Sequence, residues 1–246
     1  MFKKILSTAL AMAMVLSMAV STSAALGKPG SSTPSTKTEQ SSSSSKKSSS
    51  SSKEYDLCKT QLAKDKLALS MHNTFLSGLK ANKDKITVSI KGYTEKQVYA
   101  AFQSSLQMIF DEHPEIFWLD TMQNLVVSSD HKTLTFYPRP ASGYGTASKD
   151  GLTASKLNTT AIKNTTAKMN EAVKKMTGST TYEQVKAIHD GIINKTQYPA
   201  NPDKATHNQH QAVGPLVEGK AVCDGYAKAF KYACDQKGIP CVIVVG

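Results

Sequence analysis

EGKAVCDGYAKAF, Glu218 to Phe230, sets a single cysteine at the start of a helix. Gly219 supplies backbone freedom just before the motif. From Val222 onward Tyr226, Ala227, Phe230, Ala233 and Cys234 recur at helical spacing. Gly238, with Pro240 two residues on, is a stop signal. Cys223 therefore falls in the first helical turn. Free N–H groups and the helix dipole favour negative charge there, and one N–H is placed to hold an oxyanion. Lys220 would assist a charged sulfur and Asp224 would oppose it. The bland alternatives are a buried inert thiol or a bridge to Cys58.

The flanking sequence widens the pattern. "YEQVKAIHDGIINKTQY" is followed by "GPLVEGKAVCDGYAKAFKYACDQKGIPCVIVVG". Over about Thr181 to Gly246 these residues resemble the core of the bacterial transglutaminase-like superfamily, a group of papain-like cysteine enzymes. "DEHPEIFWL" is similar to an N-terminal region that often accompanies secreted members. The resemblance implies an α+β fold in which a central helix opens on the cysteine and packs on an antiparallel sheet. It implies that Cys223 is the nucleophile. It also implies a histidine on the next strand and an aspartate or asparagine beyond it. No histidine follows His210, so these partners are expected past Gly246. The domain is then expected to be truncated after its first core strand and inactive as it stands, because acyl transfer by cysteine needs a base. The apolar run Cys241–Val245 is read as that strand; a strand so apolar normally sits inside a sheet.

Other histidines offer weaker alternatives. His189 shares the apolar face of its helix and reads as a core or boundary residue. His207 and His210 form a His-x-x-His pair in a loop, without a strong third metal ligand nearby. Solvated loop histidines are the plain reading, and no metal or other cofactor is implied. Among the other cysteines, Cys223 and Cys234 lie ~16 Å apart along one helix and cannot pair. Cys234 and Cys241 flank a turn, which leaves a bridge between them open. Cys58 has no obvious partner.

Upstream, the chain divides by composition. Lys3 and Lys4, the apolar run Ile5–Val20 and the small residues around Ala24 read as a signal peptide over residues 1–24. An uncleaved anchor is the competing reading, although the run falls short of the ~20 residues a span needs. Residues 25–53 form a Ser/Lys-rich linker with too few apolar side chains to offset its ordering entropy. The formal charge is +11, and residues 1–53 hold seven lysines against one glutamate, so over half the excess lies there. A basic tether suits an anionic wall polymer. Nucleic acid is a poor fit, since the single arginine is Arg139. The expected location is outside the cell, with no stable membrane span after signal cleavage.

The foldable part is split here into an N-terminal α/β region, 54–150, and the start of the transglutaminase-like domain, 151–246. Tyr55–Ala81 reads as one helix, Ile86–Ile90 as a strand, and Thr94 as the cap of a helix running to Glu112. Pro114 stops that helix, and Trp118 reads as a packing anchor. Leu125–Val127 and Leu134–Phe136 form a hairpin. Pro138–Gly151 reads as a Pro/Gly loop, followed by helices over Thr153–Met176 and Tyr182–Lys195 and a loop over Tyr198–Gly219. The expected function is amide-bond acyl transfer through a Cys223 thioester on a protein or peptide substrate. An amine would complete crosslinking and water would complete hydrolysis. A non-catalytic surface module and a papain-like peptidase are the rivals.

Overall fold

A computed structural model describes residues 61–244. The signal segment, the Ser/Lys linker, Cys58 and the last two residues lie outside the described residues. No described helix is long and apolar enough to cross a membrane.

The expected helix over Tyr55–Ala81 does not run through. A new helix, α1 (Lys66–Lys80), starts where the Asp65 carboxylate accepts the Ala68 N–H at 2.9 Å. An aspartate inside an apolar-periodic stretch acted as a cap, because its short side chain competes for backbone N–H groups. Asn82, with φ +52°, closes the helix: Lys83 N–H returns to the Gly78 carbonyl. Gly78 also lets the sheet approach, since a Cβ there would lie 2.5 Å from Ile86 Cδ1.

Strand β1 (Ile86–Ser89) pairs antiparallel with β3 (Thr133–Phe136), which pairs with β2 (Leu125–Val127), so the order is β1-β3-β2. Helix α2 (Glu95–Glu112) carries the expected capping box between Thr94 and Gln97. Phe75, Phe102 and Phe136 meet ring to ring between α1, α2 and β3. Pro114 ends α2 in a short 3-10 turn, and Trp118 is 1% exposed, a packing anchor as expected.

The Pro138–Gly151 stretch is less irregular than expected. It carries β4 (Gly145–Thr146), which pairs with β5 (Lys156–Leu157). That pairing takes Leu157 out of the following helix, so α3 runs Thr159–Lys174 behind an Asn158 cap. Ile162, Met169 and Val173 form its buried stripe. Helix α4 (Thr181–Ile193) begins with a second capping box, Thr180 with Glu183. Only Ile188 and Ile192 of α4 are fully buried, while Tyr182 is 75% exposed. The Tyr198–Gly219 stretch is not plain loop: it holds 3-10 turns at Pro202–Lys204 and His207–His210 and a π-helical turn at Gly214–Glu218.

Helix α5 (Cys223–Gln236) follows. Its main neighbours are α4, α3 and the short turns at Pro114, His207 and Gly214. The sheet itself packs with α1, so in the described residues the cysteine helix rests on helices and turns. Among the described residues the segment Cys241–Val244 has no regular secondary structure and no strand pairing, which corrects the expected terminal strand. A strand is defined by its ladder, and no described segment offers one there; instead Ile243 N–H donates to Glu112 Oε1 at 3.0 Å. The mixture of helices with small antiparallel sheets is α+β.

Candidate active site

Two backbone segments pin the start of α5. The residues after α4 pair with those before α5: Gln197 N–H donates to the Gly219 carbonyl at 2.9 Å, and Ala221 N–H to the Gln197 carbonyl at 3.2 Å. Gly219 takes φ +71°, which a side chain would resist, and its N–H closes the π-helical turn on the Gly214 carbonyl. On the other side Val222 N–H donates to the Gln209 carbonyl at 3.1 Å. The 3-10 turn at His207–His210 therefore lies directly against the helix start. Gly225 makes this approach feasible, since a Cβ there would sit 2.2 Å from the Gln209 carbonyl oxygen.

That turn is itself held by the N-terminal half. His207 Nε2–H donates to the Phe117 carbonyl at 2.7 Å, and burial lowers the histidine's pKa. The Tyr144 hydroxyl donates to Asn208 Oδ1 at 3.0 Å, and Asn208 Nδ2–H donates to Glu218 at 2.6 Å. The "HPEIFWL" segment thus reaches the site indirectly, by locking the turn that abuts α5.

Cys223 is the first residue of α5, behind an extended Val222. Its thiol is free and exposed. Cys223 sits at the positive end of the helix dipole, while within the first turn Gly225 N–H donates to Asp224 and Tyr226 N–H to the Val222 carbonyl. Lys220 is exposed beside it. Asp224 is not a bare opposing charge. Its carboxylate accepts His210 Nδ1–H at 3.0 and 3.1 Å and the Gly225 N–H at 3.0 Å. Lys228 Nζ lies 3.9 Å away and donates to the His210 carbonyl. Lys228 is buried, and burial lowers its pKa. One turn on, the Tyr226 hydroxyl donates to the Thr196 carbonyl at 2.9 Å, holding its ring against the α4 exit.

The structure sorts the histidines. His189, expected on the apolar face, is exposed and bonds Asp190, because α4 buries only the Ile188/Ile192 line. His210 reaches the first turn of α5 but points Nδ1 at Asp224. Among the described residues no hydrogen bond joins a histidine to the Cys223 sulfur, and no group of three or more His, Cys, Asp or Glu is placed to hold a metal ion. Sequence reasoning missed the His210–Asp224 pair and the buried lysines of α5. Fourteen residues separate His210 from Asp224, and the Gln209–Val222 and His210–Lys228 bonds bring them together.

Residues 169–246 match the family model of the transglutaminase-like superfamily. This span runs from the second half of α3 through α4, the pinned turns and α5. Over its C-terminal third the chain is thus similar to the transglutaminase-like superfamily, whose fold generally serves cysteine enzymes. No curated protein matches the chain.

Proposed function

We propose that the chain is a cysteine acyl-transfer protein whose nucleophile is Cys223. The observation that carries this reading is the exposed Cys223 thiol on the first turn of α5, inside the span that matches the family. The Cys223 thiol gives up its proton and its sulfur attacks an amide carbonyl, the oxyanion is met by the helix N-terminus, and the C–N bond breaks as the leaving amine takes up that proton. The product is a thioester on Cys223. An amine acceptor then gives a new amide and a crosslink; water gives a carboxylic acid. A protein or peptide substrate at the cell surface fits this chemistry. The signal-like start and the basic Ser/Lys linker support export and apposition to an anionic wall polymer.

Incubation with an activated acyl ester tests the reading, since a good leaving group needs no proton donor. One equivalent of acyl group should appear on Cys223 and vanish in Cys223→Ala. Adding a primary amine should divert that acyl group to an amide. The engagement of His210 by Asp224 favours a second reading, a non-catalytic surface module with the same fold. Acylation no faster at Cys223 than at Cys234 or Cys241 would establish the module. N-terminal sequencing of the exported protein should begin at Ala25.

A further inference from the structure

A second concave site lies away from Cys223. Lys163, Thr166, Ala167 and Asn170 recur at i, i+3, i+4 and i+7 on α3, beside the buried stripe of that helix and apart from it. This stripe faces the end of α1 and the 3-10 turn at Pro114–Ile116 across a cleft of about 390 Å³. Its floor is apolar, with the buried side chains of Leu79, Ile116 and Ile162 lining it.

The polar groups of the cleft are unequally satisfied. The Glu115 carboxylate is taken twice, by Lys80 at 3.0 Å and by His113 at 3.1 Å. Lys163 has no ion pair among the described residues, so one positive charge at the cleft stays uncompensated. The Asn170 Oδ1 accepts the Tyr232 hydroxyl at 2.6 Å, which leaves the two amide hydrogens of Asn170 as donors. The Thr166 hydroxyl donates to the Ile162 carbonyl at 2.9 Å, so its lone pairs remain to accept.

We propose that this cleft binds a short peptide or N-acyl amino acid by its free terminal carboxylate. One unpaired ammonium matches one negative charge, and a charge-assisted bond to Lys163 is the stronger for it. The Asn170 amide donates to the second carboxylate oxygen. The neighbouring amide N–H of the ligand meets Thr166, and small apolar side chains cover Leu79 and Ile116. A bare inorganic anion would use the charge and leave that floor wet. The volume lies in the range of small-molecule pockets and admits a dipeptide. The cleft touches α5 through the Asn170–Tyr232 bond, and Tyr232 stands nine residues, ~14 Å of helix, beyond Cys223. The site is therefore separate from the acylation site, and the proposal holds whether or not Cys223 reacts.

The test titrates the full chain with N-acetyl-alanyl-alanine, and in parallel with its C-terminal amide and with acetate, followed by backbone NMR shifts. The peptide should bind with a Kd of about 1 mM or tighter, moving Lys163, Ala167 and Asn170 and leaving Cys223 in place. The amide and acetate should each bind about 10-fold more weakly, the first lacking the charge and the second the apolar body. Lys163→Met should weaken the peptide about 10-fold, and Ala167→Trp, which fills the cleft, should abolish binding. Both positions are exposed, so the melting temperature should change little. Equal binding of the amide or of acetate, an unchanged affinity in Lys163→Met, shifts centred elsewhere, or no binding at ~10 mM peptide would overturn the proposal. Should Ala167→Trp not fold, Lys163→Met and the amide comparison decide.

Discussion

Helix α5 has sulfur at both ends, and the ends are built differently. At the N-terminal end Cys223 is exposed, and the structure around it is backbone bonding to Gln197 and Gln209. At the C-terminal end Cys234 is buried, in a turn whose Lys231 is held by Asp235 at 2.9 Å and Glu112 at 3.5 Å. The same side chain is an exposed thiol in one place and a buried one in the other. The difference lies in what the helix terminus offers. The positive end of the dipole at one end favours a reacting anion. At the other, Ile239 N–H and Gly238 N–H return to the Cys234 and Asp235 carbonyls in a Schellman closure that satisfies carbonyls of the last turn.

Removing each sulfur should separate the two ends most sharply. Cys223→Ala should lower acylation by an activated ester at least ~100-fold, the loss of a nucleophile, with the melting temperature little changed. Cys234→Ala should leave acylation intact and cost about 1–2 kcal/mol through the small cavity it leaves. Parallel ester kinetics and thermal melts check both. A stable Cys234→Ala protein that no longer acylates would break the comparison, because it would make the buried end part of the reaction.

The charges at the buried end come next in size. Burial would lower the Lys231 pKa, but Asp235 and Glu112 outweigh it and the pKa is raised. Its stabilisation is therefore present below the unfolded lysine value and lost as pH rises through the folded one. Burial raises the Glu112 pKa as well, so its contribution is likewise present below the unfolded carboxylate value and lost as pH rises through the folded one, and at neutral pH its carboxylate disfavours the fold. Lys231→Met strands that carboxylate and should cost about 3 kcal/mol at pH 7 by urea melts. Near pH 4, where Glu112 takes up a proton, the deficit should shrink by half or more. An equal deficit at both pH values would show that Lys231 acts through packing alone.

Much of this was legible because it is local. The Thr94–Gln97 box, the β2–β3 hairpin, the burial of Trp118 and the Cys223 start of α5 each depend on residues within a few positions. The misreadings share a cause. Asp65 sat in an apolar-periodic stretch, and periodicity does not register a cap that divides it. His189 fell on a helical face that α4 exposes, because only two of its residues meet the core. Strands β4 and β5 are two residues each, below any alternation signal. His210 and Asp224 lie on two segments joined by the Gln209–Val222 backbone bond, which no spacing rule encodes. Cys241–Val244 has strand composition, yet a ladder requires a partner that composition cannot supply.

Gly225 tests whether the N-terminal end is held as tightly as its bonding suggests. In a bare helix Gly→Ala is favourable by about 1 kcal/mol. Here the added Cβ would meet the Gln209 carbonyl oxygen at 2.2 Å, and backbone cannot swing aside as a side chain can. The clash should win, giving a net loss of about 2 kcal/mol and a melting temperature lower by about 4–8 °C. A stabilised Gly225→Ala protein would mean that the His207–His210 turn moves freely from α5.

The smallest effect should come from Asp224, and its size matters for the comparison. The carboxylate joins His210 to the first turn, but the His210 side chain is 43% exposed and Asp224 29%, so solvent screens the pair. Asp224→Asn preserves the shape and an oxygen for the Gly225 N–H while removing the charge. It should cost about 0.5–1 kcal/mol at low salt and less in 1 M salt, read by urea melts at both ionic strengths. Lys231→Met should show little of that salt dependence, since its partner Glu112 is buried. Equal salt sensitivity at the two ends would remove the distinction between an open, screened N-terminus and a closed, desolvated C-terminus. A salt-dependent loss confined to Asp224 would place water at the Cys223 end, where an incoming substrate must displace it.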